Sequence, residues 1–294
     1  MSKIIECENI THYYGNRLIY ENLSFDVEQG KVLGLLGKNG TGKTTIINIL
    51  NGYLKPRSGV CRLFGEEMEH LSPLTKSKVG LLLEGHVQHA YFTVSQIEKF
   101  YSAFFFPKWK KEAYYELLKK LQVLPSQKLS TMSCGQRSQV ALGLLFAQDP
   151  ELLILDDFSM GLDPGYRRLF VEYLREYASA ENKTVFLTSH IIQDMELLID
   201  DCMIMDYGRL LLHKPVKEIM HHFKRYRFTR PGDTFKLEGD EDFWYPSALG
   251  DKWEVYSFLP KAEVEQRLKA MGVTEITEEN LSLEDAFIGL TGKY

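Results

Sequence analysis

Cysteine is scarce in this chain of 294 residues: there are four, Cys7, Cys61, Cys134 and Cys202, with no CxxC pair and no regular spacing. That argues against a disulfide framework and leaves reduced cytosolic thiols as the expectation. Long apolar runs are missing too. Nothing approaches the roughly 18 residues of a membrane-spanning helix, and the N-terminal MSKIIECENI has no cleavable apolar core. The chain is therefore expected in the cytoplasm, with any membrane role arising through a partner. Positive charge is not in excess: 35 Lys+Arg stand against 40 Asp+Glu, a net charge of −5. A nucleic-acid partner, which favours a basic field, is not expected. The basic run at 108–120 alternates with apolar residues at helical spacing and reads as a solvated helix face. The run at 221–230 reads as a charged strand edge, with anionic lipid as the alternative. No internal repeat or low-complexity tract is visible, and the length suits one large domain plus a small one.

What is present alternates strand and helix signals. Residues 3–29 read as short strands, and KVLGLLG (31–37) is an apolar strand entering a glycine-rich turn. Helical apolar spacing follows over 43–54, at Ile46, Ile47, Ile49 and Leu50. Residues 93–150 are mostly helical, as an insert, before ELLILDD, a helix near 166–178, the buried strand KTVFLTSH and a closing strand pair, DCMIMDYGRLLL. The expectation is an α/β core over 1–222 with the helical insert at about 93–150, plus a small separate α/β domain over 223–294.

GKNGTGKT (37–44) fits G-x-x-x-x-G-K-[ST] at every fixed position, and it lies between an apolar strand and a helix as that motif requires. Gly37, Gly40 and Gly42 let the backbone aim amides inward, around Lys38, Asn39 and Thr41, and the helix opening at Lys43, Thr44 and Thr45 offers its positive end to phosphate. Lys43 suits the β- and γ-phosphates and the Thr44 hydroxyl suits Mg²⁺, so ATP-type nucleotide and Mg²⁺ are the expected cofactors. A triphosphate-bound metal needs a carboxylate at the end of a neighbouring buried strand. LLILD supplies one at Asp156. Taken alone, an apolar run ending in Asp is often only a strand meeting its turn; beside the cradle, metal binding is the better reading.

In this order the motifs resemble the nucleotide-binding subunit of ATP-binding cassette (ABC) transporters over residues 3–220. The resemblance implies a P-loop NTPase (RecA-like) core with an antiparallel β subdomain. It implies that Tyr14, with adjacent Tyr13 as rival, stacks on adenine. MSCGQ, with Ser133, Cys134, Gly135 and Gln136, looks like the family signature, which meets the γ-phosphate of a second subunit's ATP. MGLDP (160–164) resembles the D-loop, and His190, ending FLTSH, matches the switch histidine. A second nucleotide-binding subunit, identical or paralogous, and separate transmembrane permease subunits are then the implied partners. The protein would be peripheral on the cytoplasmic face of the membrane. NLSLEDAFIGLTG (280–292) resembles the ending of ATPase subunits from drug- and peptide-export systems. The aromatics after Glu84 either receive a permease coupling helix or belong to the core of the insert.

Three positions depart from the family pattern. Cys134 replaces a signature Gly. Glu84 stands where the Q-loop has Gln, still able to ligate Mg²⁺ but adding negative charge. Asp157 occupies the position of the catalytic Glu that polarises water. Asp and Glu have similar intrinsic pKa values, about 3.9 and 4.3, but Asp is shorter by about 1.5 Å. A misplacement of about 1 Å costs on the order of 100-fold in rate, roughly 2.7 kcal/mol. Either the backbone sits closer to phosphate or hydrolysis is slow; the expectation is a slow ATPase with Asp157 as base. The expected function is thus an ATPase subunit of an exporter, and the alternative is an ATP-sensing regulatory module. Soluble cassettes of DNA repair or translation usually carry coiled-coil insertions, added domains or a second cassette, which this chain lacks. A P-loop GTPase would need an NKxD-type guanine motif, absent here.

Overall fold

In the computed structural model, which describes residues 2–83, 89–158, 162–180, 182–189, 191–232 and 234–292, the chain opens with two long antiparallel strands, β1 (Lys3–Tyr14) and β2 (Arg17–Glu28). Apolar Ile5, Cys7 and Ile10 on β1 face inward, a register shift after Cys7 breaking the strict alternation. The next strand, β3 (Val32–Gly37), is buried almost throughout and leads through the glycine loop into α1 (Lys43–Leu50). Strands β4 (Ser58–Leu63) and β5 (Glu66–Glu67) complete a four-stranded sheet in the order β2-β1-β4-β5. On it Cys7 and Cys61 are cross-strand partners, both buried, with Sγ atoms 3.0 Å apart. Their separation by 54 residues hid this pairing from any spacing rule.

A short helix α2 (Pro73–Lys76) precedes β6 (Val79–Leu82). The insert follows as α3 (Val94–Phe105), α4 (Lys111–Lys120) and α5 (Cys134–Ala147). Capping boxes start two of these helices: Thr93 with Gln96 on α3, and Ser133 with Gln136 on α5. Strand β7 (Leu152–Leu155), helix α6 (Pro164–Ala180), strand β8 (Thr184–Thr188), helix α7 (Ile192–Leu198) and the antiparallel pair β9 (Asp201–Asp206) and β10 (Arg209–Pro215) finish the central sheet. Its order is β10-β9-β3-β8-β7-β6, parallel apart from the β9–β10 edge. One face of the sheet packs against helices, and the other against α1 and the antiparallel sheet. This explains why β7 and β8 are buried at every position, with only Thr184 and Thr188 interrupting their apolar residues.

Helix α8 (Val216–His222) leads to a third, antiparallel sheet of β11 (Lys224–Thr229), β12 (Trp244–Leu249), β13 (Lys252–Ser257) and, beyond α9 (Lys261–Ala270), β14 (Ile276–Glu279), in the order β12-β13-β11-β14. A small core of Tyr226, Phe228, Phe243, Val255, Val264 and Leu268 lies under it. The last helix, α10 (Leu283–Thr291), does not join that core: Leu283, Ala286, Phe287 and Leu290 pack into the main cluster with Leu36, Met195 and Ile199.

Candidate nucleotide site

The parallel strands β3, β8 and β7 lie side by side with their carboxyl ends at one edge, the edge where open α/β sheets bind ligands. From β3 comes the glycine loop, from β7 the acidic pair, and from β8, between them, Thr188. A cavity of about 270 Å³ lies between these strand ends, lined by the loop, Asp156, Asp157 and Thr188, with Tyr14 and Arg17 at its rim.

The loop is held open from within. Lys43 Nζ donates to the carbonyls of Gly37 at 2.7 Å and Lys38 at 3.1 Å, so the ammonium stands where a phosphate would be encircled. Burial pushes the Lys43 pKa down, and the charges of Asp157 and Asp156 push it partly back. Gly42 carries φ +102°, and a Cβ there would stand 2.6 Å from Tyr20 Oη, so both conformation and crowding demand glycine. The Tyr20 hydroxyl, wholly buried, donates to the Gly42 carbonyl and fixes the entry to α1. Arg17 Nη2 donates to the Gly40 carbonyl from the outer side at 3.1 Å.

Opposite the loop, Asp156 is only 3% exposed. The Thr188 hydroxyl donates to Asp156 Oδ1 at 2.7 Å and accepts from the Asp157 amide at 3.0 Å, orienting both acidic residues at once. Asp157 adopts φ +43°, in the left-handed region that Asp enters more readily than most side chains. Thr44, Asp156 and Asp157 face the same space. Among the described residues no cluster of three or more His, Cys, Asp or Glu could hold a metal alone. One carboxylate and one hydroxyl suit a hard cation that brings its remaining oxygens from phosphate and water.

Asn39, Gly40, Gly42, Lys43, Thr44 and Thr45 line the cavity, as does Tyr14, whereas Tyr13 does not. The Tyr14 ring is half exposed and meets His12 edge-on, with centroids 5.1 Å apart. Gly37 and Thr41 form the back of the loop, and Thr41 Oγ1 donates to the Lys38 carbonyl. The Lys38 side chain leaves the cavity altogether, running to the end of α10. Glu84 and His190 lie outside the described residues, as do Met160 and Gly161 of the D-loop stretch. Ser133, Cys134, Gly135 and Gln136 are absent from the cavity lining; they form the N-terminus of α5, with Cys134 exposed. Thr188, Arg17 and Tyr20 escaped the sequence reading. Thr188 sits within FLTSH two residues before His190 and carried a positional signal; the other two act through strand pairing that no local pattern reveals.

The fold and cavity define a P-loop ATPase. The family model described as ABC transporter matches residues 20–159. The bacitracin transport ATP-binding protein BcrA of Bacillus licheniformis is 30% identical over 302 residues, covering 99% of this chain and 98% of its own. A Nod factor export ATP-binding protein I of Cupriavidus metallidurans is 29% identical, covering 100% and 99%. Among solved structures, the ATP-binding subunit of an ABC transporter superposes with TM-score 0.66 at 23% identity, over 74% of this chain and 92% of that one. A dimeric cassette bound to ADP and Pi in a post-hydrolysis state gives TM-score 0.64 at 18% identity, over 72% and 98%. The chain belongs to the ATP-binding proteins of ABC transporters.

Proposed function

We propose that this chain is the motor subunit of an ABC exporter, binding Mg-ATP in the cavity, closing head to tail on a second cassette, and hydrolysing ATP with Asp157 as the water-polarising base. The observation that carries this reading is the convergence of Lys43, Thr44, Asp156 and Asp157 on one cavity with Tyr14 at its rim. Lys43 and the loop amides grip the phosphates, and Tyr14 stacks on the base. Thr44 and Asp156 would hold Mg²⁺, with Glu84 as a further ligand, and the ion would supply charge neutralisation at the phosphates. His190 is read as the residue that senses the γ-phosphate. The signature residues Ser133–Gln136 serve the other subunit's nucleotide, which accords with their absence from this cavity.

Export follows from the relatives named for bacitracin transport and Nod factor export. In this reading separate permease subunits carry the substrate and the protein is peripheral on the cytoplasmic face; no helix among the described residues is long and apolar enough to cross a membrane. Exposed aromatics on and just before α3 support a permease contact: Tyr91 is 90% and Phe104 70% exposed, whereas Phe92 and Tyr101 pack against the main core. Hydrolysis is slow because Asp157 reaches less far than Glu.

Single-turnover hydrolysis in Mg²⁺ tests the assignment. Asp157→Asn should retain ATP affinity and lose on the order of 100-fold or more in rate. Equal rates for this variant and the parent would remove Asp157 from the chemistry, and no product above background from the parent would favour an ATP sensor.

A further inference from the structure

The glycine loop has a second side, and it faces the C-terminal helix. Lys38, the first variable residue of the loop, is only 8% exposed, and its Nζ donates to the backbone carbonyl of Thr291 at 2.7 Å across 253 residues of chain. Thr291 ends α10, so its carbonyl is among the four that a helix leaves without an internal amide partner, at the negative end of the macrodipole. A buried ammonium and a buried helix terminus, each costly alone, thereby satisfy one another. Beneath the loop, Phe287 and Ile288 of α10 share a cavity of about 230 Å³ with Lys38, Lys43 and Ser189.

Helix α10 is tied elsewhere as well. Gln193 Nε2 donates to Glu284 at 3.1 Å, and the Leu283 amide donates to Glu196 at 2.9 Å, joining α10 to α7, the helix that follows His190 closely. On another face Gly289 lies so near β13 that a Cβ would stand 2.5 Å from the Tyr256 ring. One short helix therefore touches the phosphate loop, the helix after the switch position and the third sheet.

We propose that α10 is a clamp on the phosphate loop and that Lys38 is its latch, a positioning residue that holds the first turn of the loop ready for nucleotide. The proposal rests on the nucleotide-binding reading of the cavity. Because Lys38 joins the two parts, binding and docking reinforce each other: nucleotide stabilises α10 in place, and a docked α10 raises nucleotide affinity by the same factor.

Hydrogen exchange on the unmodified full chain, with and without saturating Mg-ATP, is the first test. Amides of residues 283–292 should exchange about tenfold more slowly with nucleotide, while those of α4, which does not line either cavity, change little. Equal slowing of both helices, or none in α10, overturns the clamp. The second test compares Lys38→Met with Lys38→Arg. The Met variant should bind Mg-ATP about tenfold more weakly, equivalent to about 1.4 kcal/mol, and lose the nucleotide-dependent protection of α10. The Arg variant should stay within about threefold of the parent and keep that protection. A Met variant that binds weakly yet retains the protection would make Lys38 a structural loop residue only, and the clamp would fall. Failure of the unmodified chain to bind Mg-ATP would remove the nucleotide reading and the clamp together; normal binding with an unresponsive α10 would remove the clamp alone.

Discussion

Asp157 sits at φ +43°, where an Asp is tolerated better than a longer side chain. Reach and backbone thus pull in opposite directions at this position. Asp157→Glu should gain about 1.5 Å of reach and raise the hydrolysis rate tenfold or more. Its melting temperature should fall by a few degrees, for a backbone cost on the order of 1 kcal/mol. A Glu variant no faster than the parent in a phosphate-release assay would show that reach is not what limits the rate. Lys43 offers a test through protons. Burial lowers its pKa against the pull of Asp157 and Asp156, so between the folded and unfolded values the unfolded chain binds more protons, and Lys43's contribution to apo stability improves as pH rises through that window. Triphosphate charge beside the ammonium reverses the shift. Mg-ATP binding should therefore take up protons increasingly as pH is raised towards the ordinary lysine value of about 10.4. Calorimetry in buffers of differing ionisation enthalpy reads the sign directly, and proton release would contradict the placement of Lys43. At this scale the loop and Asp156 were legible because each belongs to a contiguous pattern, whereas Tyr14 was singled out only through the family resemblance, with Tyr13 as rival. Thr188 and Tyr20 were hidden because they act across strands.

Helix α5 shows what an element reveals of itself. Ser133 and Gln136 spell its capping box in four letters, so its start was legible. Its interior is buried continuously from Ser138 to Ala147, a helix without an exposed stripe. The boundaries of α1 were less legible: helical apolar spacing reaches 54, but the helix stops at Leu50, since Asn51 and Gly52 turn the chain. The exposed N-terminus of α5 carries the only exposed cysteine, Cys134, while Cys7, Cys61 and Cys202 are buried. A maleimide should therefore label Cys134 selectively in the folded chain. The labelled protein should bind Mg-ATP as before, because the cradle of the same chain is untouched, yet fail to dimerise when nucleotide is added. Size-exclusion chromatography of the Asp157→Asn variant, labelled and unlabelled, provides the measurement. ATP-dependent dimers of fully labelled protein would show that α5 does not face the partner's nucleotide.

Across the whole molecule, strand order was the least legible feature. Nothing local states that β8 lies between β3 and β7, although that order places the Thr188 hydroxyl where it can hold Asp156. The α/β character of the core was readable from strand signals that alternate with helical ones. The end of the chain was read as part of a separate small domain because aromatic strands and turns after 222 change the texture of the sequence. The sheet over 224–279 does carry its own small core, but Leu283, Ala286, Phe287 and Leu290 pack with Leu36, Met195 and Ile199 of the nucleotide-binding core. An amphipathic stripe shows that a helix is buried; it does not show against what. Shared packing has a thermodynamic consequence. Phe287→Ala removes a buried ring from the joint core and should cost about 3 kcal/mol, or roughly 6 °C at about 2 °C per kcal/mol for a chain of this size. Because the ring joins both parts, calorimetry should show the nucleotide-binding transition itself moving down. An independent early transition from the C-terminal region, with the main transition unmoved, would mean that α10 rests on the core without contributing to it.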